Sequence, residues 1–256
     1  SRIEGFFECP EIFELPVDGD ANDKKWVIFA ADGQYVIGDF DGKTFTPDHE
    51  GKHRVHWGDF YASQCFSNTP DGRVIQIGWA RVKMPGEEPF NQAFSLPIRL
   101  TLRSTYNGTR MFAEPIKEIA KLRGKEKDPL ADVDLIDGKP LAIDVDSQLL
   151  DIVVAFELGN AKTVQLRFGE NTVTYDLEKQ MLDEMPLEAE NGRVSFRVLV
   201  DRPMYEVCGN NGAVYKTASR RDGGKPIDKV EIESEGGGAM LLYMGVYPMK
   251  SIWQTD

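Results

Sequence analysis

The sequence has few cysteines and no long apolar run. Its 256 residues include only three cysteines, Cys9, Cys65 and Cys208, and their number and spacing argue against a disulfide framework or a Cys-x-x-Cys metal site. We interpret all three as buried thiols. No stretch of about 18 apolar residues is present, so no membrane-spanning helix is predicted. No basic-then-apolar leader follows Ser1, and we expect any signal peptide or upstream region to lie outside this chain.

Positive charge is also in short supply. Thirty Lys and Arg residues face 42 Asp and Glu residues, and the formal net charge is -12 at pH 7. A chain of this charge, with its basic residues scattered, repels a polyphosphate backbone, so a nucleic-acid partner is not expected. A neutral ligand such as a sugar is compatible with it. Hydrophobic residues make up 41% of the chain and aromatic residues 10%, which is typical of a folded globular protein.

Short apolar segments of strand length fill the first half of the chain. Four turns between them carry the Asp-Gly pair typical of tight hairpins: Asp18-Gly19, Asp32-Gly33, Asp41-Gly42 and Asp71-Gly72. The strands before Pro115 form two sets of about four, which is the pattern of propeller blades. Two blades alone leave strand edges open, so we infer that an upstream chain or a second copy completes the propeller.

The second half predicts a different β-structure. Residues 114–123 predict a short helix with Pro115 in its first turn, and the charged stretch 123–128 predicts a linker. From about residue 131, eight segments at regular spacing predict a β-sandwich. We therefore predict an all-β protein with two propeller blades over residues 1–123 and a β-sandwich over residues 124–256.

Glu8 is the first candidate for chemistry. It follows Phe6 and Phe7, at the start of what would be the innermost strand of a blade. Burial among apolar groups raises the pKa of a carboxyl group, as a general acid working near neutral pH requires. The pattern alone is more typical of a surface or edge-strand glutamate.

Two other motifs are assigned structural roles. The spacing of His49, His53 and His56 invites a metal site, but residues 48–53 are highly polar and are interpreted as a solvated loop between blades, so no metal is predicted. Asn107-Gly108-Thr109 fits a glycosylation sequon and is interpreted as a hairpin turn.

Several motifs together resemble glycoside hydrolase family 32, the invertases, inulinases and levanases. Glu8-Cys9-Pro10 and residues 35–45 resemble the fourth blade of that family, and residues 57–64 with Ile77-Gly78-Trp79 resemble its fifth. Residues 200–207 resemble its sandwich signature. The resemblance covers nearly the whole chain, and it implies a partial five-bladed β-propeller, of which the last two blades are present, followed by the β-sandwich.

The resemblance also implies a role for Glu8. In that family the glutamate of the Glu-Cys motif is the general acid and base, and an aspartate near the N-terminus is the nucleophile. No Trp-Met-Asn-Asp-Pro-Asn-Gly motif is present, and Asp201-Arg202-Pro203 lies in the sandwich with the order of the family's Arg-Asp-Pro reversed. A retaining glycosidase needs two carboxyl groups about 5 to 5.5 Å apart. This chain therefore carries the acid/base and lacks the nucleophile.

The activity implied is hydrolysis of β-fructosyl linkages in sucrose, levan or inulin, without a cofactor. Asp59, Tyr61, Trp79 and Cys9 are the candidate substrate-binding residues, since an aromatic face packs on a sugar ring while polar neighbours bind its hydroxyls. One alternative stays open: the chain is a non-catalytic carbohydrate-binding or structural fragment. Because fructan polymers are extracellular, we expect an extracellular or periplasmic location.

Overall fold

The structure is a computed structural model that describes residues 6–84, 86 and 89–252. In these ranges, 23 strands form three sheets. The helical segments there are two short 3-10 helices, Lys117–Leu122 and Asn210–Gly212. The predicted all-β class is confirmed. Neither described helix is long and apolar enough to cross a membrane.

The first four-stranded unit, called blade A, is an antiparallel meander. It consists of β1 (Glu11–Val17), β2 (Asp20–Phe29), β3 (Gln34–Phe40) and β4 (Phe45–Pro47). The short strand β5 (His53–Arg54) also pairs with β3. Asp18 and Gly19 between β1 and β2 both have positive φ, 52° and 80°, as the predicted Asp-Gly hairpin requires.

The second unit, blade B, is built in the same way. It consists of β7 (Phe60–Cys65), β8 (Val74–Ala80), β10 (Ile98–Thr105) and β11 (Gly108–Pro115), and the two-residue strand β9 (Ala93–Phe94) pairs with β8. Blades A and B meet where Val17 pairs in parallel with Leu102. The two predicted sets of four strands are confirmed, and residues 107–109 lie at the β10–β11 hairpin.

The helix predicted over residues 114–123 is only partly correct. Glu114 and Pro115 end strand β11, where Glu114 pairs with Arg99 and its carboxylate also bonds Arg103. The helical part is the 3-10 helix Lys117–Leu122, in which Ile119 is the buried residue. A strand ladder and an ion pair outweigh the helical spacing of the apolar residues, because helix propensity is a weak term that tertiary contacts override.

The second half of the chain forms the predicted sandwich of two sheets. The seven-stranded sheet has the order β12 (Leu130–Leu135), β23 (Ala239–Pro248), β14 (Leu150–Glu157), β19 (Arg193–Val200), β20 (Met204–Gly209), β21 (Val214–Ser219) and β6 (His56–Gly58). The six-stranded sheet has the order β13 (Leu141–Ser147), β22 (Ile227–Glu235), β15 (Thr163–Phe168), β16 (Asn171–Asp176), β17 (Met181–Leu182) and β18 (Met185–Pro186). All eight segments predicted from the sequence are strands.

The sandwich core follows from alternation along its strands. Every second residue of β15 is buried, because successive side chains of a strand point to opposite faces. Val154 and Phe156 of one sheet and Leu166 and Phe168 of the other belong to the same fully buried cluster. Burying each such side chain stabilises the fold by roughly 1.5–3 kcal/mol.

Strand β6 joins the blades to the sandwich. Its residues pair in parallel with β21, with His56 opposite Tyr215 and Gly58 opposite Thr217. The approach is close: a Cβ at Gly58 would lie 2.2 Å from the carbonyl oxygen of Thr217. The chain segment between the blades is therefore part of the sandwich sheet.

The predicted solvated loop is confirmed for residues 48–52, which lie outside the strands and are exposed or half-buried, whereas the next two histidines lie in strands. His53 lies in β5, and His56 is buried with its ring stacked on Phe60 at 3.9 Å. Burial lowers the pKa of His56 to about 3, so its ring is neutral. The His49 and His53 rings lie 4.0 Å apart, and among the described residues no group of three or more His, Cys, Asp or Glu is placed to hold a metal.

The segment after the 3-10 helix is held on the sandwich by a buried carboxylate. Arg123 Nε donates to Asp151 Oδ2 at 2.6 Å, and Arg197 donates to both oxygens of Asp151 at 2.8 and 2.6 Å. The guanidinium of Arg123 also lies 4.1 Å from the centre of the Tyr247 ring. The boundary between residues 123 and 124 stays a prediction.

We expect Asp151→Asn to lower the free energy of unfolding by about 3 kcal/mol, because it leaves two guanidinium groups without their buried counter-charge. Urea denaturation measures the change. The matched control is Glu157→Gln, which removes an exposed carboxylate from its pair with Arg193 and is expected to cost less than about 1 kcal/mol. Equal losses in the two variants would contradict a special role for Asp151.

Candidate active site

Glu8 lies in the segment before β1 and contacts both blades. Its backbone carbonyl accepts a hydrogen bond from Ala31 N–H of blade A at 3.3 Å. Its carboxylate oxygen Oε2 accepts a short hydrogen bond, 2.5 Å, from the hydroxyl of Tyr61 in blade B. The carbonyl of Ala31 in turn accepts from Ala62 N–H at 3.0 Å. Ala31 thus connects the backbone at Glu8 with the backbone next to Tyr61.

A β-bulge presents Tyr61 at this position. The register between β7 and β8 shifts between Tyr61 and Gln64, and Ala62 has a positive φ of 46°. A bulge leaves one residue unpaired and re-aims the neighbouring side chains. The extra residue places Ala62 N–H toward Ala31 of the other blade and Tyr61 toward Glu8.

The surroundings of Glu8 agree with one of its two interpretations from the sequence. Glu8 is exposed, as the residue pattern alone favours, and it is not the carboxyl group buried among apolar neighbours that the general-acid interpretation expects. Phe7 beside it is 92% exposed, so its ring does not cover the carboxylate. In the structure Glu8 is oriented by the hydrogen bond from Tyr61 and not by burial.

Aromatic side chains adjoin Glu8 on blade B. Trp79 of β8 pairs with Tyr61 on one side and with Phe94 on the other, and the rings of Tyr61 and Trp79 meet edge to face at 6.3 Å. Trp79 is 42% exposed and Phe94 72% exposed, so they are not blade core. An exposed aromatic surface next to a carboxylate is suited to packing on the apolar face of a sugar ring.

A cationic side chain lies over Tyr61. The guanidinium of Arg81 is 4.7 Å from the centre of the Tyr61 ring, a distance at which a cation is attracted by the ring face. The hydrogen bond to Glu8 raises the pKa of Tyr61, so its hydroxyl keeps its proton and acts as a donor. Arg81 follows Trp79 by two residues, a spacing that puts side chains on one face of a strand and that the sequence analysis did not use.

Asp59 contacts the sandwich. Its Oδ2 accepts hydrogen bonds from the backbone N–H and the hydroxyl of Ser219 in β21, both at 3.2 Å, and its own N–H donates to the carbonyl of Thr217 at 2.8 Å. Asp59 therefore secures the segment that leads into Tyr61. Its predicted contact with substrate stays a prediction.

Cys9 is placed beside Glu8 and is exposed. Its backbone has a positive φ of 45°, in a segment that precedes the first strand, so its thiol is outside the blade core. The interpretation of all three cysteines as buried thiols is wrong for Cys9. Cys208 is buried and Cys65 is half-buried.

A cleft of about 1000 Å³ lies between blade B and the sandwich. Trp79 and Phe94 form part of its wall, together with Leu96, Leu122 and Leu199. The mainly apolar wall offers few partners for sugar hydroxyls. The candidate sugar site is therefore placed at Glu8 and Tyr61, beside the exposed ring of Trp79.

Sequence comparison relates the chain to a levanase and to an exo-inulinase. Residues 1–115 match the family described as the glycosyl hydrolases family 32 N-terminal domain. A levanase of Bacillus subtilis is 29% identical over 98% of this chain and 44% of its own length. An extracellular exo-inulinase of Aspergillus niger is 25% identical over 97% of this chain and 56% of its own length. The chain thus spans about half the length of these relatives.

Structural comparison agrees. The exo-inulinase from Aspergillus awamori superposes with a TM-score of 0.81 at 23% identity, over 96% of this chain and 57% of that one. A fructofuranosidase from Schwanniomyces occidentalis complexed with fructose gives a TM-score of 0.80 at 21% identity, over 95% of this chain and 60% of that one. At such identities the likeness shows the fold, two propeller blades followed by a β-sandwich. Together with the sequence match over residues 1–115, these findings relate the blades to the N-terminal domain of the glycosyl hydrolases family 32 and the fold of the chain to that of the exo-inulinase.

Proposed function

We propose that this chain is part of a glycosidase that cleaves β-fructosyl linkages in sucrose, levan or inulin, with Glu8 as its general acid and base. The observation that carries the proposal is the hydrogen bond from Tyr61 to Glu8 at 2.5 Å, beside the exposed ring of Trp79. It aims an accessible carboxyl group at the place where the aromatic surface would hold a sugar. The names of the relatives, levanase and exo-inulinase, support a fructan substrate.

The chemistry follows the retaining two-carboxylate scheme. Protonated Glu8 gives its proton to the glycosidic oxygen as the bond to the anomeric carbon breaks, and a second carboxylate attacks that carbon to form a covalent fructosyl intermediate. Glu8, now ionised, then takes a proton from water, whose oxygen displaces the second carboxylate. The scheme needs no cofactor.

The second carboxylate is proposed to come from a separate polypeptide segment, because the sequence lacks the family's nucleophile motif. The same segment, an upstream chain or a second copy, would complete the propeller. An extracellular or periplasmic location is part of the proposal, and it is supported by the extracellular exo-inulinase among the relatives.

The neighbours of Glu8 have distinct proposed roles. Tyr61 is a positioning residue that donates to Glu8, and Arg81 packs on the Tyr61 ring. Trp79 is the surface on which the fructosyl ring rests. Cys9 contacts the sugar from its exposed position next to Glu8, and Asp59 binds a hydroxyl through Oδ1, since Ser219 occupies Oδ2.

Complementation tests the role of Glu8. The segment of Bacillus subtilis levanase that precedes the region matched here, fused ahead of this chain, should yield fructose release from levan. Glu8→Gln should lower that rate by about 10²-fold or more, since it removes the transferable proton. The rate on a synthetic fructoside with an acidic leaving group should fall much less, because that group departs without being protonated.

The matched control for this experiment is Glu14→Gln, which removes an exposed carboxylate paired with Lys24 on the same blade and should leave the rate unchanged. An active fusion that is insensitive to Glu8→Gln would refute the assignment. Release by this chain alone, lost in Glu8→Gln, would place the second carboxylate within this sequence.

The contact between Tyr61 and Glu8 can be tested without turnover. The carboxylate holds the pKa of Tyr61 above its ordinary value, so Glu8→Gln should bring the pKa of Tyr61 down. NMR titration of the chain with labelled tyrosine rings measures it, and Tyr61→Phe assigns the signal. An unchanged Tyr61 pKa in Glu8→Gln would show that the two side chains do not meet in solution.

A non-catalytic role in carbohydrate binding is the second candidate function. The exposure of Glu8 and the missing nucleophile motif favour it for this chain taken alone. Retention on a levan matrix that is lost in Trp79→Ala, with no fructose release by any fusion, would support this function over the first.

A further inference from the structure

Glu206 is a buried carboxylate at the contact between the sandwich and blade B. It lies in β20 and is fully buried. It accepts hydrogen bonds from the hydroxyl of Tyr215, from the hydroxyl of Thr217 at 3.1 Å, and from the backbone N–H of Leu96 at 3.2 Å. Tyr215 and Thr217 belong to the sandwich, whereas Leu96 belongs to blade B, between β9 and β10. One carboxylate therefore holds groups from both parts of the molecule.

The backbone at Leu96 is tied to the strand that carries Trp79. Next to Leu96, Ser95 donates its N–H to the carbonyl of Gly78 at 2.9 Å, and Gly78 donates its N–H to the hydroxyl of Ser95 at 2.8 Å. Gly78 immediately precedes Trp79 in β8. A shift of the Leu96 backbone therefore moves the strand position from which the Trp79 ring projects.

Glu206 is also connected to Tyr61, through β21. The hydroxyls of Tyr215 and Thr217 bond Glu206, while the backbones of the same two residues hold the segment between the blades. Tyr215 N–H donates to the carbonyl of Val55, and the carbonyl of Thr217 accepts from Asp59 N–H, both at 2.8 Å. Asp59 precedes Tyr61 by two residues. Hydrogen bonds and short backbone segments thus connect both Trp79 and Tyr61 to the one buried carboxylate of Glu206.

The charge state of Glu206 is finely balanced. Burial raises the pKa of Glu206 to about 7, the hydrogen bonds from Tyr215, Leu96 and Thr217 oppose that rise, and the charge of Asp201 adds to it. The charge of Arg197 lowers the pKa of the neighbouring Tyr215, and that of Cys208 raises it. The His56 ring of β6 lies 5.5 Å from that of Tyr215.

The three donors suit an ionised carboxylate better than a protonated one, because hydrogen bonds to an ionised group are stronger. An ionised carboxylate accepts from all three. A protonated one carries an O–H of its own, which needs an acceptor. A hydroxyl such as that of Tyr215 or Thr217 can turn to accept, but the Leu96 N–H can only donate. Protonation on Oε2 therefore makes the Tyr215 hydroxyl an acceptor, whereas Oε1 still accepts from Leu96 and Thr217 through weaker bonds to a neutral group.

We propose that Glu206 is a positioning residue whose protonation state sets how firmly the sandwich holds the two blade B segments that carry Trp79 and Tyr61. The proposal deepens the proposed function, on which it rests for the identity of the ligand. It makes the sandwich a proton-sensitive support of the sugar site.

NMR titration of the whole chain from pH 5 to pH 9 tests the proposal. The Leu96 amide and the Trp79 indole N–H should shift with a common midpoint near 7. Neither should titrate in this range in Glu206→Gln, which keeps the shape of the side chain without its charge. Glu157→Gln, the same change on the exposed face of the sandwich, should behave as the unmodified chain. Trp79→Phe assigns the indole signal.

Two results would overturn the proposal. A Leu96 amide signal that does not change with pH would exclude the proton-dependent bond. A Leu96 amide that titrates while the Trp79 indole signal stays unchanged would exclude the connection to the site. If Glu206→Gln does not fold, Thr217→Val takes its place: it removes one donor to the carboxylate, so the midpoint should move to higher pH, and an unmoved midpoint would count against Glu206 as the titrating group. The experiment involves no sugar, so failure of fructose cleavage would leave its result intact.

Discussion

Three residues between the two blades, His56, Trp57 and Gly58, form the seventh strand of the sandwich sheet by pairing with β21. His56 in this segment is buried, and buried backbone groups need partners, which β21 provides. The pairing brings His56 against Phe60 and Tyr215, and it fixes the point from which β7 starts. The positions of Asp59 and Tyr61 depend on it directly, and through Tyr61 so does the orientation of Glu8.

The candidate site is consequently assembled from three parts of the chain. Blade A holds the backbone of Glu8 through Ala31, blade B provides Tyr61 and Trp79, and the sandwich holds the entry to β7 through Ser219. A single hydrogen bond orients the exposed carboxylate of Glu8. A catalytic group held in this way is accessible to solvent and to a substrate. Its orientation depends on the packing that holds Tyr61 in place.

Much of the fold could be predicted because its strands alternate. The period-two pattern of residues such as those of β15, together with Asp-Gly turns, locates strands without knowledge of their partners. The predictions are wrong where contacts between residues far apart in the sequence determine the structure. Glu114 extends β11 because it pairs with Arg99 and its carboxylate bonds Arg103. His56 is buried because β21, about 160 positions later in the sequence, covers it. The hydrogen bond between Tyr61 and Glu8 depends on the bulge at Ala62, which no local sequence pattern predicts.

The close approach of Gly58 to Thr217 bears on how the chain can be divided. A cut at the predicted boundary would leave the blades with an unpaired strand, and it would leave the sandwich with a bare edge at β21. Exposed edges promote association with other chains. The blades and the sandwich are thus not independent modules. To exchange the sandwich between relatives, β6 with its glycine would have to be transferred together with it.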